Sequence, residues 1–165
     1  MKHIISALVE NKPGVLAHVA GMFAARAFNI DSLAVGRTED PDLSRMTIVV
    51  VGDDRVVEQV RKQLAKIVPV VKVQDFVDQP VVARDLMLIV ISAAPEKRAE
   101  ILSLIDVFKG KVVDIGQKFV MVEVSGPEAK IDAFINMCRP YGIKSVARTG
   151  TIAMPRQFKA EDNEA

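Results

Sequence analysis

The feature that most constrains this chain is an internal repeat. VVVGDDRVVEQVRKQL, 49–64, and VEVSGPEAKIDAFINM, 122–137, share one layout. In each, a β-branched run of strand length ends at a glycine, and an amphipathic stretch with apolar residues three and four apart follows. The pieces around them repeat in the same order. In the first half, HIISALV (3–9) is strand-like. Val15, Leu16, Val19, Ala20, Phe23 and Ala27 mark one helix face. IDSLAVGRT (30–38) and MTIVVVG (46–52) read as strands on either side of the turn EDPDL (39–43). Val56, Val60, Leu64 and Ile67 mark a second helix, which Pro69 is expected to stop, and VVKVQDFV (70–77) is a further strand.

The second half repeats this sequence of elements. LMLIVISA (86–93) is a strand, and Ile101, Leu102, Ile105 and Phe108 form a helix face for which Gly110 is the expected C-terminal cap. Two strands lie within 111–126, and Ile131, Phe134, Ile135 and Cys138 form the next helix face. A single last strand spans IKSVARTGTIAM (143–154). The pattern predicts an α+β chain of two consecutive ferredoxin-like β-α-β-β-α-β domains, 1–78 and 84–165, with a loose polar tail from about 155. Each sheet would carry helices on one face only, and MTIVVV and LMLIVI are apolar on both sides. Burying even about 500 Å² of such a face contributes on the order of 12 kcal/mol before entropy is counted, so a partner is expected.

Composition excludes several function classes. Lys plus Arg number 22 against 21 Asp plus Glu, which offers no electrostatic footprint for nucleic acid or an anionic membrane. RNA recognition on this fold uses exposed aromatics on the middle strands, and SRMTIVVV has none. The lone Cys138 excludes an intramolecular disulfide and suits a reducing compartment. The opening KHIISALVE is interrupted by Glu10 too soon for a signal peptide or membrane span, so a cytoplasmic protein is expected. Neither His3 nor His18 has partners at metal-ligand spacing, and no catalytic motif appears. The expectation is therefore no catalytic and no metal residue. Glu39, Asp40 and Asp42 read as a solvated acidic turn. A phosphate-handling hydrolase would want an arginine in the first loop, where only Lys12 stands.

That first loop, NKPG (11–14), remains. Pro13 pre-sets φ for position i+1 of a turn and Gly14 offers the positive φ that a type II turn needs at i+2. A helix starts at once, so amides from about Gly14 to Leu16 point outward at the positive end of its dipole, where a small carboxylate could bind. Asn11 carries an amide able to donate and accept. A plain strand-to-helix bend with Asn11 as cap accounts for the same residues.

These residues also carry a resemblance. NKPGVLAHVAGMFAARAFNIDSLAVGRTEDPDLSRMTIVVVGDD (11–54) and ARTGTIAMPR (147–156) resemble the small regulatory subunits of acetohydroxyacid synthase (acetolactate synthase), whose first half is an amino-acid-binding ACT domain. The resemblance implies a subunit without a catalytic site. Its large catalytic partner would use thiamine diphosphate, Mg²⁺ and FAD, none of them on this chain. It implies activation of that partner and feedback inhibition by valine or another branched-chain amino acid. It also implies a homodimer through the ACT domains, with the effector between them. Carried over by position, Asn11, Gly14, Val15 and Leu16 would hold the effector from one chain, and Asn29 and Ile30 would approach it from the other. Where the family often has Gly before the aromatic residue, Ala27 stands before Phe28, and Ala takes positive φ less cheaply. Asn29 also suits a helix C-terminal cap. A free-standing ACT-type sensor without this partner is the alternative.

Overall fold

The computed structural model describes residues 1–157. The described residues divide into two compact units: Met1–Val82 together with Thr151–Gln157, and Ala83–Gly150. The part of the expected loose tail beyond residue 157 lies outside the described residues. The segment from Thr151, read from sequence as the end of the second half, counts with the first unit.

In the first unit β1 (Lys2–Glu10), α1 (Val15–Ala25), β2 (Ile30–Arg37), β3 (Leu43–Val51), α2 (Asp54–Leu64) and β4 (Val70–Asp75) follow the β-α-β-β-α-β order. They form an antiparallel sheet in the order β2-β3-β1-β4. Alternation sets the faces: Ile5, Ala7 and Val9 of β1 and Met46, Ile48 and Val50 of β3 are all at most 1% exposed, beneath Val19, Phe23, Val57, Val60 and Leu64 of the helices. The Asp53 carboxylate caps α2 by accepting from the Val56 amide at 3.0 Å. α2 ends at Leu64, before Pro69. Short turns through Lys66 and Ile67 keep Ile67 in the core, so Pro69 does not itself stop the helix.

The face of this sheet away from the helices is less bare than expected. Ser6, Thr47 and Val49 alternate with the core positions, yet each is at most 4% exposed. Arg45 Nη1 donates to Ser6 Oγ across the same face. The segment from Thr151 meets it too: the Thr151 amide donates to Ser32 Oγ at 2.9 Å.

The second unit repeats the order with most of β5 (Val81–Ser92), α3 (Pro95–Val107), β6 (Lys111–Ile115), β7 (Phe119–Gly126), α4 (Glu128–Cys138), a 3-10 turn Arg139–Tyr141 and β8 (Ile143–Arg148). Its strand order, β6-β7-β5-β8, matches that of the first sheet, and β9 (Ile152–Pro155) also pairs with β5. Met87, Ile89, Ile91, Val120, Val122 and Val124 face Ile101, Ile105, Ile131 and Phe134. Phe108 meets Phe134 edge-on with ring centroids 5.2 Å apart. On the other face Leu86 and Leu88 stay 38% and 39% exposed.

Three expectations are corrected. β5 begins at Val81, so the stretch left between the two expected domains, 79–83, is partly strand. The last strand is two strands, β8 and β9, broken at Gly150 with φ +80. α3 is closed by Lys109 at φ +56; the Gly110 amide reaches back to Ile105 O at 2.9 Å without itself being left-handed. Gly110 is small for another reason, because a Cβ there would stand 3.1 Å from both Ile105 and Val122. Among the described residues no helix is long and apolar enough to cross a membrane.

Candidate effector site

The loop after β1 has the geometry its residues predict. Gly14 sits at φ +84, ψ −11, with the Val15 amide 3.5 Å from Lys12 O, which is the i+2 position of a type II turn. Gly14 is also the residue preceding α1, and the first intrahelical bond runs from the His18 amide to Gly14 O at 2.9 Å. The amides of Leu16 and Ala17 therefore lead the helix without an intrahelical acceptor, at the positive end of its dipole. Among the described residues no side chain caps this end.

Asn11 is not the cap. Its backbone amide donates to Asp42 O at 2.7 Å and its Nδ2 donates to Pro41 O at 2.9 Å, so both tie the loop to the β2–β3 turn. The Oδ1 of this exposed side chain remains an acceptor, of the kind an ammonium group requires. Sequence reasoning missed the role of Pro41 and Asp42 because that contact is made between residues 30 apart. The acidic turn itself is bound up locally: Asp40 Oδ1 accepts from the Asp42 amide, and Thr38 Oγ1 accepts from the Asp40 amide. Among the described residues no group of three His, Cys, Asp or Glu is placed to hold a metal ion.

The apolar candidates divide. Leu16 is 45% exposed and available at the surface, whereas Val15 is 7% exposed and belongs to the core, so only its backbone faces the loop. Ile30 is half-buried and packs against the same core.

Asn29 and Ile30 lie beyond the other end of α1. Eleven residues at 1.5 Å rise put about 16 Å of helix between the two groups, more than a small amino acid spans. One chain thus brings Asn11, Gly14 and Leu16 together and keeps Asn29 and Ile30 apart from them. Two surface depressions of the first unit, about 470 and 370 Å³, include none of the six residues.

Asn29 does not end α1. Ala27 does, at φ +53: the Phe28 amide reaches back to Phe23 O at 3.1 Å, and the two rings meet edge-on at 6.1 Å. The exposed Asn29 side chain makes no hydrogen bond among the described residues.

α1 has a further property. Between Val15 and Ala25 only His18 is polar, so the helix is apolar on its exposed side as well. Gly21 on this helix and Gly36 on the edge strand β2 have ordinary φ values and nothing within 4 Å of where a Cβ would stand. The chain itself gives neither position a reason to be glycine.

The corresponding place in the second unit is built differently. α3 opens on Ala94-Pro95-Glu96, with no left-handed residue and an acid in the first turn. Arg98 Nη2 donates to the carbonyls of Ala93, Gly116 and Gln117, closing the loop on itself. Cys138 is fully buried, and burial pushes its thiol up to about 11.

Comparison with known proteins agrees along the whole described chain. Residues 5–72 match the AHAS small subunit-like ACT domain, and residues 84–157 match the small subunit of acetolactate synthase. A probable acetolactate synthase small subunit of Archaeoglobus fulgidus is 56% identical over 96% of this chain and 99% of its own. The acetolactate synthase small subunit of Bacillus subtilis is 45% identical over 99% and 97%. The crystal structure of the small subunit from Thermotoga maritima superposes with a TM-score of 0.90 at 42% identity, covering 96% and 99% of the two chains. Two ferredoxin-like halves, an ACT domain first and matches of this extent establish that the chain belongs to the acetolactate synthase small-subunit family.

Proposed function

We propose that the chain is the regulatory subunit of an acetolactate synthase, binding valine or another branched-chain amino acid between the ACT domains of two copies. The effector carboxylate sits at the leading amides of α1, beside Gly14. Its ammonium meets Asn11 Oδ1. Leu16 of the same chain, with Ile30 of the second copy, borders the branched side chain, and Asn29 of the second copy supplies the remaining polar contact.

The observation that carries this reading is the length of α1. Its roughly 16 Å separate the two halves of the contact set within one chain, so a second copy is needed to bring them together. The apolar outer side of α1 and the unexplained Gly21 and Gly36 fit a close approach by that second copy. The catalytic large subunit would supply thiamine diphosphate, Mg²⁺ and FAD. This chain raises its activity and lends it sensitivity to the effector, and the signal requires only that the effector bind one arrangement of the assembly better than another.

The test is reconstitution with a purified large subunit. Asn11→Ala and Asn29→His are each expected to abolish inhibition by valine while stimulation of the large subunit persists. Full valine sensitivity in both variants would sink the assignment of the site.

A further inference from the structure

The geometry points to the segment Thr151–Gln157 as a strap that reports occupancy of the effector half-site on β2 to the second unit. This rests on the proposed effector reading and adds the route by which the signal leaves the site. Ser32 lies two residues after Ile30 on the edge strand β2, and its Oγ accepts the Thr151 amide at 2.9 Å in a half-buried setting. Between Ile30 and Ser32 the pairing with β3 slips by one residue, from Ile30↔Val50 to Ser32↔Val49, so Asp31 is bulged out. At a bulge the ladder is locally broken and the strand bends, which re-aims the side chains on either side of it. A ligand pressed against Asn29 and Ile30 bears on the same bulge that sets the direction of Ser32.

The strap is held along its length. Thr151 and Ala153 are 7% and 3% exposed, while Ile152 and Met154 point outward, and the Arg156 amide donates to Pro80 O at 2.9 Å. On the other side of Gly150 the chain is anchored at once. Arg148 Nε and Nη2 donate to Asp85 Oδ2 at 2.9 and 2.6 Å, and its Nη1 donates to Asp132 Oδ1 at 2.9 Å. Asp85 is 2% exposed, and Thr149 Oγ1 donates to its second oxygen at 3.1 Å while accepting the Leu86 amide. From the Ser32 bond to this buried carboxylate the chain runs only from Thr151 to Arg148. Only Thr149 and the left-handed Gly150 lie between these two held residues, so a movement of Ser32 has a short path along the chain to Arg148. The strap explains why ARTGTIAMPR stands out in the sequence although it contributes nothing to the effector contacts.

The test combines hydrogen–deuterium exchange on the full-length small subunit with valine titration and reconstituted inhibition. In the parent protein, valine is expected to slow exchange at the start of α1 and, by at least threefold, to change exchange in the peptide covering 150–157. Ser32→Ala, which leaves the Thr151 amide without its acceptor, is expected to hold valine affinity within about threefold but lose most of the inhibition. Ser32→Thr, which keeps the hydroxyl, is expected to restore it. Protection at α1 with unchanged exchange at 150–157, or full inhibition in Ser32→Ala, would overturn the strap. Absence of any protection by valine at α1 would instead overturn the effector site, and the strap with it.

Discussion

Ala27→Gly is a substitution whose sign follows from one backbone angle. Near the end of a helix, Ala→Gly ordinarily destabilises by about 1 kcal/mol. Ala27, however, is held at φ +53, where a Cβ costs roughly 1–2 kcal/mol that glycine escapes. The extra freedom of glycine in the unfolded chain returns about 0.4–1 kcal/mol of this. The exposed methyl makes no core contact to lose, so the net expectation is stabilisation by about 0.5–1 kcal/mol. With a urea dependence of about 2 kcal/mol per molar, the midpoint rises by about 0.25–0.5 M. Ala24→Gly, three residues earlier on the exposed side of α1, is the control and should lower the midpoint by about 0.5 M. Urea unfolding followed by circular dichroism reads both. If Ala27→Gly destabilised as Ala24→Gly does, the left-handed cap at Ala27 and the reasoning built on it would be refuted.

Two further outcomes are expected. Asp85→Ala removes the buried partner of Arg148 and should cost about 3 kcal/mol in urea unfolding; a loss under about 1 kcal/mol would show that the anchor is not held by this pair. Cys138 should resist thiol alkylation at pH 8 until the protein is unfolded. Because its thiol is raised from 9.0 to about 11, the stability it lends is complete below pH 9 and is lost as pH rises through 11. Labelling of the native protein at the unfolded rate would contradict this.

Much of the fold is legible in the sequence because periodicity and punctuation agree. The clearest case is α2, where the spacing of Val56, Val60 and Leu64 marks a helix whose Val60 and Leu64 are fully buried. The Pro13-Gly14 turn is likewise readable, since each residue has one conformation it serves best. What escapes the sequence is backbone geometry set by tertiary contact. Residue types place left-handed caps at Gly110 and at Asn29, which take that conformation cheaply. The caps fall instead on Lys109 and Ala27, because the amide of the next residue must reach back to Ile105 O in one case and Phe23 O in the other. At α1 the Phe28 ring also closes on Phe23. The break in the last strand is hidden because Val146, Ile152 and Ala153 continue an apolar pattern across Gly150. Only the return of Thr151 to Ser32 shows that the chain has changed partners there. At the site, residue types point to Asn11 as a cap, whereas the turn at Pro41 and Asp42 claims it.

In the proposed dimer each effector site takes Asn11 from one chain and Asn29 from the other. Mixing subunits tests it directly. Asn11→Ala and Asn29→Ala homodimers should each fail to bind valine in calorimetric titration. A heterodimer of the two variants, purified by paired affinity tags, carries both lesions in one site and neither in the other. It is expected to bind valine with parental affinity at half the parental stoichiometry. Absence of binding in the heterodimer would mean that both asparagines serve a site within one chain, and would rule out a site shared between two chains.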